Sequence, residues 1–225
     1  MILSAKDMDK KDFIKKLVVT SYELMASDFD ATRQRPWPEL YDLAAAVKDG
    51  DRVLDLGCGN GRLLKVLPKV NFDYQGYDAN EQLLAAARRL SPRSKFDKAS
   101  LPDFPVAAGH YDHIFVIATF HHLVDRQERL ALLKNIKQSL KPGGRLIMTN
   151  WYLWQPRYLK YWFSKLNKKI AWNDLFIPWQ SQPQTIWRYY HAFTAKELNQ
   201  LLQQAGFHNI ETRRSADNLI TKAAA

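Results

Sequence analysis

A glycine-rich segment is the clearest chemical signal in the sequence. It reads Val-Leu-Asp-Leu-Gly-Cys-Gly-Asn-Gly over residues 53–61, between a short apolar run and a predicted helix. Glycines let a backbone adopt positive φ and approach a ligand closely, and amides at a helix N-terminus attract anions. The segment therefore predicts a nucleotide site. Arg62 stands where a dinucleotide fingerprint has its third glycine, which disfavours a nicotinamide dehydrogenase, and no Gly-Lys-Ser/Thr of a P-loop follows.

Three aspartates accompany this segment, each near the end of a predicted strand: Asp55, Asp78 and Asp97. The carboxyl ends of parallel strands face one crevice, where open α/β sheets bind their ligands. An acid after the second strand is suited to accept hydrogen bonds from ribose hydroxyls. Each aspartate alone could instead cap a helix, but three at successive strand ends favour a ligand site.

The elements that must position these residues alternate between strand and helix. Strands are predicted over 52–56, 72–77, 95–96, 112–118, 145–150, 207–213 and 218–222. Helices are predicted over 1–30, 39–48, 81–90, 127–140 and 194–205, with another leading from the glycine-rich turn through residue 67. This alternation is typical of a mostly parallel sheet with helices on both faces. We expect one domain over 1–225, with an N-terminal cap over 1–37 and an aromatic-rich insertion over 151–191.

Composition narrows the class of protein. The chain has 225 residues, a formal net charge of +10 and one cysteine, so neither a disulfide framework nor a multi-cysteine zinc site is expected. The sequence shows no apolar run of membrane-spanning length and no signal-peptide pattern, which favours a cytoplasmic protein. Of the 7 Trp, 10 Tyr and 11 Phe, half lie between Trp151 and Phe193. The excess of positive charge suggests a polyanionic partner.

Five segments together resemble the class I S-adenosylmethionine-dependent methyltransferases from about residue 38 to the C-terminus: VLDLGCGNG, GYDAN, DKASLP, YDHIFVIATFHHL and LKPGGRLIM. The resemblance implies a Rossmann-like, doubly wound, seven-stranded sheet with an antiparallel last strand, and S-adenosylmethionine as the cofactor. By this resemblance, the glycine turn binds the methionine part of the cofactor, Asp78 binds the ribose and Asp97 the adenine. The backbone near Ile117 is expected to lie along the cofactor. The expected cofactor-binding residues are Tyr22, Arg33, Asp55, Gly57, Cys58, Gly59, Gly61, Asp78, Ala79, Asp97, Lys98 and Ile117.

Three further segments resemble the tRNA wobble-uridine carboxymethyl O-methyltransferases: residues 22–38, 174–179 and 188–193. This resemblance implies methylation of the carboxylate of 5-carboxymethyluridine, with the tRNA anticodon loop as partner. Eukaryotic members of that family also work with a small activator protein. DNA and membranes are not expected partners. A small-molecule methyltransferase and a non-catalytic RNA-binding protein on the same fold are the alternatives.

A carboxylate is already a nucleophile at neutral pH, so its methylation requires alignment and no general base. Arginine suits the alignment because its guanidinium grips a carboxylate with two parallel hydrogen bonds. We expect Arg33 and Arg188 to position the substrate, with Tyr189, Tyr190 and His191 as nearby donors. Arg33 could equally bind the carboxylate of the cofactor.

His122 is expected to shape the acceptor pocket. His121-His122 does not predict a metal site, because adjacent side chains of an extended chain point to opposite faces and no third ligand is near in sequence. Cys58 is expected to pack as a small side chain.

The aromatic stretch has two interpretations. Most of its rings are expected to cover the end of the sheet, and two or three to stack on an extruded base. Basic side chains run through it and suit a phosphate path. Lysines of the N-terminal helix either extend this path or form a solvated face. The interleaved cations are Arg157, Lys160, Lys165, Lys168, Lys169 and Arg188, and the N-terminal lysines are Lys6, Lys10, Lys11, Lys15 and Lys16.

Overall fold

The computed structural model describes residues 9–32, 36–162, 171–181 and 184–225. The helices are α1 (Lys10–Thr32), α2 (Pro38–Ala44), α3 (Glu81–Leu90), α4 (Arg126–Ser139), α5 (Leu159–Trp162) and α6 (Ala195–Gln204). The strands are β1 (Arg52–Leu56), β2 (Asp73–Asp78), β3 (Lys95–Lys98), β4 (Tyr111–Ile117), β5 (Leu140–Trp151), β6 (Asp174–Ser181), β7 (Gln184–His191), β8 (His208–Ser215) and β9 (Asn218–Ala224). Short 3₁₀ helices span Arg62–Lys65, Phe120–His122 and Pro156–Tyr158.

Seven strands form one sheet in the order β3-β2-β1-β4-β5-β9-β8, and β6 with β7 forms a separate hairpin. The pairs from β3 through β5 are parallel, whereas β9 is antiparallel to both of its neighbours. The expected seven-stranded, mostly parallel sheet with an antiparallel last strand is confirmed. Parallel strands bring their carboxyl ends to one edge, where the site lies.

Alternate residues of the central strands supply two different apolar cores. Ile114 and Val116 of β4 pack with apolar residues of α4 and α6, whereas Phe115 and Ile117 pack with those of α2 and α3. Helices therefore cover both faces of the sheet, as the sequence predicts. Side chains that alternate along a strand in this way leave β4 without an exposed face, which explains its continuous apolar sequence.

Side-chain caps fix the starts of three helices. The side chain of Asn80 accepts a hydrogen bond from the amide of Leu83 at α3, and that of Asp125 from the amide of Gln127 at α4. Thr194 caps α6 by accepting from the amide of Glu197, as its sequence position predicts. An oxygen at these positions satisfies an amide that has no partner inside its helix.

The largest departure from the expected elements is the hairpin of β6 and β7. The chain between residues 174 and 191 shows no polar alternation, since α1 packs against β7 and much of the hairpin is buried on both faces. A strand buried on both faces loses the period-two pattern by which strands are recognised. The helix predicted through residue 67 is only a 3₁₀ turn, α2 ends before residue 48, and β5 begins before residue 145.

Within the described ranges, none of the helices combines the length and the apolar character that a membrane span requires.

Candidate functional site

A cavity of about 360 Å³ opens where β1, β2 and β4 end. The glycine turn and the ends of these strands form one wall, and α1, the 3₁₀ helix at Phe120–His122 and β7 form the others. Most of the residues expected at the site line this cavity. They are Tyr22, Asp55, Gly57, Cys58, Gly59, Asp78, Ala79, Ile117, His122, Arg188 and Tyr190.

The glycine turn requires its glycines. Gly57, Gly59 and Gly61 have φ of 74°, 53° and 75°, a region that other residues rarely adopt. The amides of Gly57 and Cys58 both donate to the carbonyl of Tyr77, at 2.7 and 3.0 Å. A Cβ at position 57 would lie 2.3 Å from Oγ1 of Thr119. The turn is thus held against β2 on one side and against Thr119 on the other.

We expect Gly57→Ala to destabilise the protein by about 2–4 kcal/mol, because it combines a left-handed φ with overpacking against Thr119. Gly109→Ala is the matched control: Gly109 has φ of 58°, but its Cβ would meet nothing within 4 Å. The control should cost only about 1–2 kcal/mol. Urea unfolding of both variants measures the difference. Equal losses would show that the contact with Thr119 has no energetic importance.

Asp78 connects the glycine turn to α3. One of its carboxylate oxygens accepts from the amide of Gly59 at 2.9 Å, and the other from the amide of Asn80 at 2.8 Å. Burial raises the pKa of Asp78, and these backbone amides oppose the rise. The carboxylate lines the cavity and retains lone pairs for hydroxyl donors from a ligand.

Asp55 lies at the base of the same wall, with 2% of its surface exposed. The hydroxyl of Tyr74 donates to Oδ2 of Asp55 at 2.7 Å, whereas Oδ1 has no hydrogen-bond partner among the described residues. Burial raises the pKa of Asp55 to about 7. The guanidinium of Arg62, near enough to oppose this rise, stacks 4.3 Å above the ring of Trp37 at the cavity wall.

Cys58 is buried in the turn, and burial raises the pKa of its thiol well above the ordinary value. The thiol therefore stays neutral near pH 7 and acts as a small packed side chain.

Three of the expected cofactor residues are not part of the cavity lining in the described chain: Gly61, Asp97 and Lys98. Asp97 and Lys98 lie at the exposed end of β3, where Asp97 accepts from Nε2 of Gln75 at 3.0 Å. The neighbouring Ala99, Ser100 and Leu101 line the cavity at this edge. Contact of Asp97 with the adenine stays a prediction.

Arg188 provides the positive charge of the opposite wall. It is 4% exposed, and its guanidinium lies over the rings of Trp179 at 4.8 Å, Tyr190 at 5.2 Å and Trp151 at 5.5 Å. Its Nε is buried without a hydrogen-bond partner, and no ion pair to it occurs in the described parts of the chain. A buried guanidinium in a cavity, without a carboxylate beside it, is suited to bind a ligand carboxylate.

His122 and Tyr22 form a neutral pair across the cavity. Nδ1 of His122 lies 2.9 Å from the carbonyl of Tyr189, which can only accept, so this nitrogen carries the proton. Nε2 of His122 therefore accepts from the Tyr22 hydroxyl at 2.7 Å. Burial lowers the pKa of His122 to about 3, so the ring is uncharged at neutral pH. This hydrogen bond ties α1 to the cavity.

The expectation that His121 and His122 lie in extended chain is wrong. Both histidines belong to a 3₁₀ helix and not to extended chain, and their ring centroids are only 4.4 Å apart. The amide of Trp151 donates to Nδ1 of His121 at 3.2 Å. Among the described residues, no three His, Cys, Asp or Glu side chains are grouped so that they could hold a metal ion.

His191 and Tyr189 differ from their expected role as donors at the site. Neither lines the cavity in the described structure, because side chains alternate along β7: Arg188 and Tyr190 face the cavity, and Tyr189 and His191 face away. The hydroxyl of Tyr189 donates to Asp174 at 2.8 Å, and Nδ1 of His191 lies 2.9 Å from the same oxygen.

A polar cluster of six residues, all buried except the partly exposed Glu197, thus anchors the back of β7: Arg129, Asn173, Asp174, Tyr189, His191 and Glu197. Nε2 of His191 lies 2.8 Å from the Glu197 carboxylate and 3.1 Å from the Arg129 guanidinium. The hairpin is therefore bonded to α4 and α6. The cluster supports the strand that carries Arg188.

Two other expectations concern basic residues. Arg33 lies outside the described residues, as do Lys6, Lys165, Lys168 and Lys169. Lys11 pairs with Asp125, and Lys15 with Glu128 at 2.6 Å. These two lysines of α1 therefore bind α4 and its N-cap as well as adding positive charge.

The sequence did not reveal three contacts of cavity-lining residues: Arg62 with Trp37, Arg188 with Trp179, and Asn80, whose side-chain amide donates to the carbonyl of Tyr22 at 3.0 Å. In the sequence, Arg62 is notable only because it replaces the third glycine of a dinucleotide-binding fingerprint. Its apolar neighbour Trp37 lies in the Pro-Trp-Pro segment, which carried no signal of contact with the turn.

Comparisons with known proteins agree with this geometry. A family profile described as "Methyltransferase domain" matches residues 29–212. The tRNA (carboxymethyluridine(34)-5-O)-methyltransferase of Schizosaccharomyces pombe is 28% identical over 217 residues, covering 88% of this chain and 91% of that protein.

Two solved structures are similar in fold. A Haloferax volcanii protein, described as a methyltransferase in complex with the Trm112 methyltransferase activator, has a TM-score of 0.67 at 18% identity and covers 92% of this chain and 97% of its own. The S-adenosylmethionine-bound amino pentose methyltransferase CalS10 of Micromonospora echinaspora has a TM-score of 0.63 at 18% identity, with 88% and 96% covered. The chain belongs to the methyltransferase domain family and is an S-adenosylmethionine-dependent methyltransferase.

Proposed function

We propose that this methyltransferase esterifies the carboxylate of 5-carboxymethyluridine at the wobble position of tRNA. The observation that carries the proposal is Arg188, a buried guanidinium that lines the cavity and has no carboxylate beside it in the described structure. The S. pombe relative, which is matched over nearly its whole length, is named for this reaction. The net charge of +10 suits a polyanionic substrate.

The cavity fits the charges of S-adenosylmethionine. Asp55 and Asp78 place two carboxyl groups beside the glycine turn, where they suit an ammonium group and ribose hydroxyls. When bound, the cofactor supplies a methyl group on a sulfonium, whose transfer to a carboxylate oxygen returns the electron pair of the broken S–C bond to sulfur and moves no proton.

The protein's own contribution is to hold the acceptor. Arg188 would take the carboxylate through two parallel N–H···O bonds, which fix its direction as well as its position. Trp151 and Tyr190 stack on each other at 5.1 Å with 16° between the ring planes, and both line the cavity beside Arg188. Their rings exclude water from the guanidinium, which strengthens its interaction with a carboxylate.

His122 does not act as an acid or a base in this reaction, because the proton on its Nδ1 is bonded to the carbonyl of Tyr189. Its lone pair on Nε2 is occupied by the Tyr22 hydroxyl, and its pKa of about 3 keeps it neutral. A neutral ring near the cavity does not repel the cationic cofactor, whereas an imidazolium would. Tyr22 and His122 therefore act by closing the cavity.

The direct test is methyl transfer from labelled S-adenosylmethionine to tRNA that carries 5-carboxymethyluridine. The matched control is the same tRNA with an unmodified wobble uridine, which should accept no methyl group. Alkaline treatment should release the label, because the product is an ester. Transfer to small carboxylic acids with none to the modified tRNA would overturn the proposal and favour a small-molecule enzyme, since Arg188 would suit either carboxylate.

A small activator protein belongs to the same proposal. The Haloferax volcanii structure of similar fold is a complex with the Trm112 activator. If this chain needs such a partner, the purified chain alone should be inactive on modified tRNA, and co-expression with the activator of its own organism should restore transfer. Full activity of the isolated chain would remove the activator from the proposal.

Cofactor affinity should depend on pH through Asp55. Its pKa of about 7 means that the carboxyl group is protonated below this pH and ionised above it. A cofactor ammonium prefers the ionised form, so S-adenosylhomocysteine should bind several-fold more tightly at about pH 8 than at about pH 6. Calorimetry measures this slope. Asp55→Asn should abolish it, and an unchanged slope in that variant would exclude Asp55 as its source.

A further inference from the structure

We infer that a second aromatic surface, outside the cavity, stacks with unpaired bases of the RNA substrate next to the acceptor nucleotide. We call it the tryptophan platform and define it as Trp154, Trp162 and Trp172, flanked by Arg157 and Lys160. The inference rests on the proposed function, because it assigns the neighbouring nucleotides of the same substrate.

The three rings of the platform are in mutual contact. The ring of Trp154 lies 4.2 Å from that of Trp162 and 5.2 Å from that of Trp172, measured between centroids. The indole N–H of Trp154 donates to the carbonyls of Ala192 and Phe193 at 3.2 and 3.1 Å, which fixes this ring to the fold. The platform is therefore anchored at one end.

Its other end faces the solvent. Trp172 is 67% exposed, the highest fraction among the exposed large apolar side chains of the described residues. An exposed tryptophan in contact with two others forms a contiguous apolar patch, and such patches mark interaction sites. A flat indole face suits a nucleobase, because every base has a π-face on which it can stack.

The platform continues the wall of the cavity. Trp154 follows Trp151 by three residues, so their Cα atoms are at most about 11 Å apart. Trp154 and Trp162 pack in one apolar cluster with Trp151 and with Tyr190. A strand whose modified base enters the cavity would thus pass the platform with its adjacent bases.

Positive charge beside the platform suits the phosphates of an RNA strand. Nζ of Lys160 lies 5.0 Å from the ring of Tyr161, and the guanidinium of Arg157 lies 4.9 Å from the ring of Tyr158. Both side chains are exposed, and the guanidinium of Arg157 also pairs with the exposed carboxylate of Asp217 at 2.5 Å. Alternating rings and cations match the stacking faces and phosphates of a single strand.

The test compares Trp172→Ala with Tyr41→Ala, a matched loss of an exposed aromatic ring, 54% exposed on α2 and outside the cavity lining. Fluorescence anisotropy with a labelled anticodon stem-loop measures RNA binding without any methyl transfer. Trp172→Ala should weaken binding about tenfold, Trp172→Phe should retain most of the affinity, and Tyr41→Ala should match the wild type. Affinity for S-adenosylhomocysteine should be unchanged in all three variants.

Two outcomes would overturn the inference: wild-type RNA affinity in Trp172→Ala, or an equal loss in Tyr41→Ala. The first would assign the platform to another occupant, such as a protein partner. Failure of the proposed function is distinguishable, because it appears as absent methyl transfer by the wild type whatever the RNA affinities are. With active wild type, Trp172→Ala should raise KM for modified tRNA and leave kcat unchanged.

Discussion

Arg188→Met should abolish most methyl transfer to the acceptor while leaving cofactor binding intact. Methionine retains the length and apolar packing of the side chain but removes the charge proposed to hold the substrate carboxylate. Loss of one partner from a buried, hydrogen-bonded charge pair costs about 2–5 kcal/mol, which corresponds to roughly 30- to 5,000-fold in kcat/KM. Single-turnover transfer to modified tRNA and calorimetry with S-adenosylhomocysteine measure the two effects separately.

Arg188 has a matched control in Arg214. The guanidinium of Arg214 also lies over an aromatic ring, 4.5 Å from that of Tyr152, but it is exposed and outside the cavity lining. Arg214→Met should transfer methyl groups at a rate near that of the wild type. Arg188→Lys should be intermediate, since lysine restores the charge without the planar fork.

Stability adds a second check on Arg188. Since no ion pair to Arg188 occurs in the described residues, its removal breaks no salt bridge there and relieves a buried charge. The substitution also removes the contacts of the guanidinium with three aromatic rings, which offsets this relief, so the unfolding temperature of Arg188→Met should stay close to that of the wild type. Wild-type kcat/KM in this variant would contradict the role assigned to Arg188, and a lowered unfolding temperature would indicate a structural role.

Asp78→Ala should weaken cofactor binding by more than about 100-fold. The substitution removes the acceptor expected for the ribose hydroxyls and also the two backbone bonds to Gly59 and Asn80 that shape the turn. Hydrogen bonds to charged groups contribute about 1.5–3 kcal/mol each, so the loss of the two expected from the ribose hydroxyls already exceeds the 2.7 kcal/mol of a 100-fold change. Calorimetry with S-adenosylhomocysteine measures the affinity.

Asp97→Ala is the comparison for Asp78→Ala, because both acids end neighbouring strands. Asp97 is exposed and lies outside the cavity lining, so its removal should weaken binding by less than about tenfold. Circular dichroism should show both variants folded. Equal losses of affinity in the two variants would show that burial does not determine how much each aspartate contributes to cofactor binding. Wild-type affinity in Asp78→Ala would contradict the assignment of Asp78 to the cofactor.

Local patterns predicted the cavity wall formed by the glycine turn because its residues are close in sequence. The glycine turn and Asp55 are contiguous, and Asp78 ends the next strand, so strand-helix alternation alone places them at one edge of the sheet. The cap of α6 at Thr194 is likewise local. Such features depend on a few neighbouring residues and can be recognised without knowledge of the tertiary fold.

The cavity wall formed by β7 could not be predicted to the same depth. Arg188 was identified from its residue type and its segment. The direction of its side chain depends on a hairpin that is largely buried on both faces, so the sequence of its strands shows no polar–apolar alternation. His191 and Tyr189 looked equivalent to Arg188 and Tyr190 in sequence. Their partners Arg129 and Glu197 come from α4 and α6, and only tertiary packing brings these residues together.

The alternation along β7 has a consequence for how acceptor specificity could change. Residues 188 and 190 face the cavity, while Tyr189 and His191 hold the strand in the polar cluster. Under the proposed role of Arg188, substitutions at 188 and 190 can therefore select a new acceptor without disturbing the anchor. Insertion or deletion of a single residue in the strand would exchange the two faces and place a guanidinium in the anchor. Natural or laboratory evolution of this enzyme should proceed here by substitution, and length changes should be confined to the hairpin tip.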